Sequence, residues 1–191
     1  MGFSEFFGLS SPEIRQIDAE TSAKLKGFYD LVRQGNLFRD EIIKIEVFLK
    51  KNPGRVDINY SPERKKELED WINKNFREGI FGLCAELLPQ LRKKKSLLSE
   101  RSSSTSAVEK DIAEMEKQGR PILEDVEFEL QKKRSEFDAG GQRISDWINK
   151  SNRSSIFEST IPQGEQNKYI ILQKQIDELK AKRDKLKSVL F

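Results

Sequence analysis

Apolar residues recur at helical spacing along most of the chain. Ser11-Pro12-Glu13 supplies an N-cap, a proline at the first helical position and an early acid, and apolar residues then follow three and four positions apart. This pattern predicts a first helix that ends at Gly35. A second helix is expected from about 37 to 51, because it carries one apolar face and stops at Asn52-Pro53-Gly54.

The start signal is repeated at Ser61-Pro62-Glu63, which predicts a third helix to about residue 77, broken near Gly79. A further helix is expected from about 80 to 99, with a kink at Pro89. Beyond it the pattern predicts helices at about 106–118 and 121–137, a break at 138–141 and a short helix through Trp147. The segment VDINY, 56–60, is the one strand candidate. The expected fold class is therefore all-α, an elongated helical bundle.

Two stretches of the sequence occur twice, in the same order. TSAKLKGFYDLVRQG, residues 21–35, aligns without gaps on TSAVEKDIAEMEKQG, residues 105–119, and DWINK occurs at 70–74 and again at 146–150. An insertion at 53–60 in the first copy reconciles the two matches. This arrangement favours a tandem duplication.

The duplication divides the chain into five expected parts. An N-terminal segment, 1–20, includes the start of the first helix, and the first helical unit covers 21–91. A basic and Ser-rich connector, 92–104, leads to the second unit at 105–164, and a C-terminal heptad helix covers 165–191.

The C-terminal segment has alternating spacings of three and four between its apolar positions, which is typical of a coiled-coil-like helix. The predicted seam contains Tyr169, Leu172, Ile176, Leu179, Leu186 and Leu190. In a parallel homodimer Lys182 would face Lys187 and the two would repel. We therefore expect this helix to pack within the chain on the acidic segment PILEDVEFEL, 121–130. Oligomerisation through the C-terminal helix is the alternative.

The chemical inventory argues against common enzyme mechanisms. The chain has no His and a single Cys, and 35 basic residues nearly balance 32 acidic ones. Lack of His removes the usual general base and the commonest zinc ligand. No phosphate-binding glycine loop or metal-ligand spacing occurs either, so we expect no catalytic residues, no metal and no cofactor. Cys84 lies on an apolar helix stripe and is expected to be an inert core residue.

The two Trp residues lie in the repeated DWINK stretch, beside Ile72 and Ile148. As exposed residues, Trp71 and Trp147 would suit a binding hot spot. The favoured interpretation is that they anchor each repeat unit in its core, since large aromatic side chains on an apolar helix face are usually buried.

A basic cluster, Arg92, Lys93, Lys94 and Lys95, stands near a predicted helix end. These side chains are candidates for contacts with nucleic-acid phosphates. The favoured interpretation is a solvated helix terminus, where cations suit the helix dipole. Aromatic residues interleaved with basic ones, which a single-strand binder needs, do not accompany the cluster.

The sequence contains no apolar run of the length that a membrane span requires, and MGFSEFFGL at the N-terminus does not resemble a signal peptide. A cytoplasmic location is therefore expected. The favoured function is a non-catalytic module that presents helix surfaces to a protein partner, as a scaffold, adaptor or inhibitor. Nucleic-acid binding through the basic cluster is the first alternative. Peripheral membrane binding through the Phe-rich N-terminus is the second and least favoured.

Overall fold

The structure is a computed structural model that describes residues 11–55, 57–151 and 163–191. The side chains of 144–151, 163, 165 and 166 lie outside that description. Every secondary-structure element in the described ranges is helical, which confirms the all-α prediction. The strand candidate at 56–60 does not form a strand where it is described, because Ile58–Tyr60 forms a short 3-10 helix instead.

Helix α1 is one continuous helix of 40 residues, Pro12–Lys51. It begins where the sequence indicated, since the Ser11 hydroxyl accepts a hydrogen bond of 3.2 Å from the Ile14 amide. The predicted break at Gly35 is wrong. A helical Gly costs only about 1 kcal/mol relative to Ala, and Gly35 is buried against the ring of Phe76. The absence of a side chain at Gly35 lets the Phe76 ring pack against the helix backbone, and α1 continues to Lys51.

The next two helices are joined by a π-helical segment without a break between them. Helix α2, Pro62–Trp71, continues into a π-helical segment, Ile72–Phe76, and then into helix α3, Arg77–Glu100. The predicted break near Gly79 is therefore wrong as well. A side chain at Gly79 would meet Leu31 of α1, so this glycine too allows two helices to approach closely. Pro89 lies inside α3, as expected.

Helix α4 spans Ser106–Ser151, 46 residues, and the predicted gaps at 119–120 and 138–141 are absent. Gly119 packs against Leu190, and Gly140 lies against the ring of Tyr169. Helix α5 runs from Gln163 to Leu190. Four predicted interruptions thus coincide with glycines that receive a large side chain from another helix.

The chain forms two compact units. The first comprises the chain up to Gly119 together with Leu190, and the second comprises Arg120–Val189 and Phe191. The boundary between the two units falls inside α4, so this one continuous helix contributes residues to both units. The tandem duplication is a statement about sequence ancestry and stays a prediction.

Helices α1, α3 and the start of α4 form an up-down-up bundle in the first unit. Lys24 contacts Glu86, and Asp18 contacts Lys94, so α1 and α3 run antiparallel. The buried apolar residues of the first unit are Ile14, Ile17, Phe28, Val32, Ile45, Leu68, Phe76, Ile80, Cys84, Leu87, Leu88, Leu91, Val108 and Met115, with Leu190 from the C-terminus.

In the second unit, α4 and α5 pair as antiparallel helices. The phenol of Tyr169 donates a hydrogen bond to the Phe137 carbonyl, and their rings lie 4.6 Å apart. Further along, the Lys187 ammonium lies 2.7 Å from the Glu127 carboxylate. The buried side chains between the helices are Ile122, Leu123, Val126, Leu130, Ile176, Leu186 and Val189.

Candidate interaction surfaces

The predicted heptad residues face the interior to different extents. Ile176, Leu186 and Leu190 are buried, whereas Tyr169, Leu172 and Leu179 are half-buried. The ion pair between Lys187 and Glu127 joins α5 to the acidic segment of α4. This contact confirms the prediction that the C-terminal helix packs on the acidic segment of the same chain.

Leu190, the last residue of α5, belongs to the first unit and is held there by Arg92. The Arg92 guanidinium donates hydrogen bonds to the Leu190 carbonyl at 3.4 Å and to the Glu116 carboxylate at 2.8 Å. A cation at the carboxyl end of a helix is stabilised by the helix dipole and by the free carbonyl groups there. Arg92, a candidate phosphate contact in the sequence, thus contacts Glu116 and the Leu190 carbonyl in the structure.

Two other members of the basic cluster also form interhelical ion pairs. The Lys94 ammonium lies 2.5 Å from the Asp18 carboxylate of α1, and the Lys95 ammonium lies 3.0 Å from that of Glu109 on α4. Lys93 is exposed. The cluster thus joins α3 to both of its neighbours, an arrangement that the linear pattern of charges does not reveal.

Cys84 is fully buried, and its Sγ lies 3.5 Å from the Met115 carbonyl oxygen. Burial raises the pKa of this thiol to about 12 because the thiolate would lose its hydration. A thiol with that pKa is a poor nucleophile at neutral pH. In the described part of the chain no group of His, Cys, Asp and Glu is arranged to hold a metal ion.

Trp71 is half-buried and packs edge-on against Phe38 of α1, with ring centroids 4.7 Å apart. Ile72, the first residue of the π-helical segment, is also half-buried. The side chains of Trp147 and Ile148 lie outside the described residues. The first DWINK stretch thus contributes packing between α1 and α2.

A cleft in the second unit surrounds Tyr169. Its ring lies against Gly140, and Glu136, Arg143 and Lys168 are among the lining residues. The cleft has a volume of about 330 Å³ and is open to solvent. It combines both signs of charge with the apolar side chains of Ile171 and Leu172, which gives no recognisable catalytic arrangement.

Several large apolar side chains point away from both cores. On α1, Leu37, Ile43 and Val47 are 61%, 57% and 45% exposed, respectively. In the second unit Phe128 of α4 is 70% exposed, and Ile170 and Ile171 of α5 are 68% and 58% exposed. The sequence pattern contained a signal for Ile43 and Val47, because neither lies on the apolar stripe that carries Phe38, Ile42, Ile45 and Leu49.

We call Leu37, Ile43 and Val47 the α1 outer surface. Ile43 and Val47 are one helical turn apart, and Leu37 lies on the adjoining stripe with Lys44 and Lys51. Four exposed cations flank these residues, namely Arg39, Lys44, Lys50 and Lys51, against the exposed acids Asp40 and Glu46. The Glu46 carboxylate is already paired with Lys65 at 2.7 Å. The surface is therefore apolar with a basic margin.

No helix in the described ranges is both long and apolar enough to cross a membrane. Comparisons with protein families, with curated proteins and with solved structures each found no match to this chain. The function proposed below therefore rests on the residues of this chain alone.

Proposed function

We propose that this protein is a non-catalytic interaction module, a scaffold, adaptor or inhibitor, that binds a protein partner through the α1 outer surface. The observation that carries the proposal is the exposure of Ile43 and Val47 on a helix whose opposite face is packed. Apolar side chains of this size on a rigid helix are typical anchors for a partner. The lack of His and the inert environment of Cys84 support a function without catalysis.

The basic margin indicates the chemistry of the partner. An amphipathic helix can lay its apolar face on Ile43 and Val47, and acidic residues along its edges would then meet Lys44, Lys50 and Lys51. Such complementarity raises the association rate and excludes basic partners. We therefore propose an acidic amphipathic segment as the ligand of this surface.

Site-specific photo-crosslinking tests the proposal in cells that express the protein. A photoreactive residue placed at Ile43 or Val47 is expected to capture the same second protein. Lys26, exposed on the same helix about 25 Å away, is the matched control position and is expected to capture none of it. No adduct at 43 or 47 above the Lys26 level would contradict the proposal.

Purified partner then allows affinities to be compared. Ile43→Asp and Val47→Asp are each expected to weaken binding about tenfold or more. Each substitution removes an apolar anchor, and the new carboxylate repels the acidic residues of the partner. Lys26→Asp is expected to bind like the unaltered protein. Binding that survives both substitutions would show that the surface is not the site.

Nucleic-acid binding through the basic cluster is the less favoured alternative. Arg92, Lys94 and Lys95 are occupied by acids of neighbouring helices, so phosphate would have to displace those acids. Peripheral membrane binding through MGFSEFFGL falls on residues outside the structure's description. A cytoplasmic location belongs to the main proposal and is supported by the single reduced Cys84.

We also propose that the bundle arose by the tandem duplication of 21–91 and 105–164 and that α5 is a coiled-coil-like addition. The aligned Gly35 and Gly119 support the duplication. Both are buried within helices, and each receives a large side chain, Phe76 in one case and Leu190 in the other. A shared ancestor with a close-approach glycine at this position explains why both copies retain it.

A further inference from the structure

Phe128 is an exposed aromatic residue between two opposite charges. Its side chain is 70% exposed, and it lies on the outward face of α4, away from the buried Leu123, Val126 and Leu130. Glu124 is one turn before it and Lys132 one turn after it, on the same stripe of the helix. Both charged side chains are exposed. Neither forms an ion pair with any residue that the structure describes.

This arrangement has a specific symmetry. Glu124 and Lys132 each lie about 6 Å along the helix axis from Phe128, on opposite sides. When two such helices cross nearly antiparallel about a twofold axis at Phe128, Glu124 of each copy lies level with Lys132 of the other. The two aromatic rings meet at the axis. The surface is then complementary to itself, as a twofold interface requires.

The neighbouring residues on this stripe permit close approach of two helices. Pro121, Ser135 and Ala139 continue it on either side of the charges, and all three are exposed. Short side chains at those positions leave room for a second helix beside Phe128. The stripe from Pro121 to Ser135 is about 21 Å long.

We infer that α4 is a self-association surface, on which a second copy of this chain packs antiparallel through Phe128 with reciprocal Glu124–Lys132 ion pairs. The contact involves one helix stripe per copy, which is small for a protein interface. The dimer is therefore weak and dissociates on dilution. A dimer of this kind presents two α1 outer surfaces, but the inference does not depend on the function proposed for them.

Charge exchange tests the inference by sedimentation velocity over a concentration series of the full chain. The unaltered protein is expected to shift from monomer to dimer as concentration rises. Glu124→Lys and Lys132→Glu each place like charges opposite one another twice in the dimer, and each is expected to raise the dissociation constant about tenfold or more. The double variant E124K/K132E restores both pairs with reversed sign and is expected to dimerise like the unaltered protein.

Two further variants separate this contact from other effects. Phe128→Ala is expected to abolish the dimer without lowering the melting temperature, because the side chain is exposed in the monomer. Arg134→Glu is the control, since Arg134 is exposed on the same helix but off the stripe. It is expected to leave the dissociation constant unchanged.

Two results would overturn the inference. One is an unaltered protein that stays monomeric at several hundred micromolar. The other is a double variant that remains as weak as the single variants, since that would show that Glu124 and Lys132 do not face each other. A single variant that fails to fold is recognised by its circular dichroism, and the other single variant and F128A still decide the matter.

Discussion

The ring of Phe76 occupies the space that a side chain at Gly35 would need. A Cβ atom on Gly35 would lie 2.5 Å from the nearest carbon of that ring. Arg39 lies one turn further along α1, and its guanidinium carbon is 4.5 Å from the centroid of the same ring. Phe76 is thus held between the backbone of α1 and a cation, which fixes the π-helical segment to α1.

Gly35→Ala is expected to lower the free energy of unfolding by about 1–3 kcal/mol, because the added methyl group forces Phe76 out of its packing. Gly27→Ala in the same helix meets nothing within 4 Å. It is expected to raise that free energy by about 0.5–1 kcal/mol through helix propensity. Urea denaturation followed by circular dichroism measures both. If both substitutions changed the free energy of unfolding by the same amount and in the same direction, the packing described at Gly35 would be contradicted.

Cys84 is expected to resist thiol reagents in the folded protein. Its side chain is fully buried and its pKa is raised to about 12 by burial, so almost no thiolate is accessible at pH 8. Labelling with an aromatic disulfide reagent should be complete in 8 M urea and very slow without it. Rapid labelling of the folded chain would show that the helices around Cys84 open easily.

The stability of the fold is expected to depend on pH through the carboxyl group of Glu109. Hydrogen bonds from Lys95 and Thr105 hold the pKa of its carboxyl below the ordinary value of 4.5. A carboxyl whose pKa is lower in the folded state stabilises the fold above its unfolded pKa, and that contribution is lost as the pH falls through the folded value.

Glu109→Gln is therefore expected to be less stable than the unaltered protein at pH 7 and equally stable at pH 2. Thermal unfolding at the two pH values measures the difference. The gap should also shrink when the salt concentration is raised, because the pair is exposed. A gap of the same size at pH 2 would assign it to packing and not to charge.

Lys94 and Lys93 are neighbours in the sequence but differ in their surroundings. The side chain of Lys94 is 20% exposed and paired with Asp18, whereas Lys93 is exposed. Lys94→Gln is expected to lower the free energy of unfolding by about 0.5–1 kcal/mol, and Lys93→Gln to leave it unchanged. Denaturation curves check this. If both substitutions instead reduced binding to a generic DNA duplex and spared stability, the nucleic-acid alternative would be favoured.

Helix starts and the fold class could be predicted because they depend on local chemistry. The Ser11-Pro12 and Ser61-Pro62 signals are capped as expected, with each Ser hydroxyl accepting a hydrogen bond from an amide three residues on. Helix ends at glycine could not be predicted in the same way. At Gly35, Gly79, Gly119 and Gly140 a side chain from a distant part of the chain fills the space beside the backbone, and such contacts outweigh the small local cost of a helical Gly.

The candidate sites were predictable only in part. The charge pattern correctly predicted an acidic neighbour for α5, since Lys187 pairs with Glu127. It did not reveal that Lys94 and Lys95 have acidic partners on α1 and α4, because those acids are far away in the sequence. Phe128 was not singled out in the sequence, although the pattern contains a signal for its exposure, because it lies off the stripe of Val126 and Leu130.

Helix α5 packs on α4 of its own chain, and the outward stripes of α1 and α4 are the surfaces that we propose for binding. Zero-length crosslinking by carbodiimide in an equal mixture of ¹⁴N- and ¹⁵N-labelled protein tests this packing most directly. Lys187 and Glu127, 2.7 Å apart, are expected to yield crosslinked peptides in which both halves carry the same isotope. If about half of the Lys187–Glu127 crosslinks instead joined a ¹⁴N peptide to a ¹⁵N peptide, α5 would pair between chains, which would contradict its packing on α4 of the same chain.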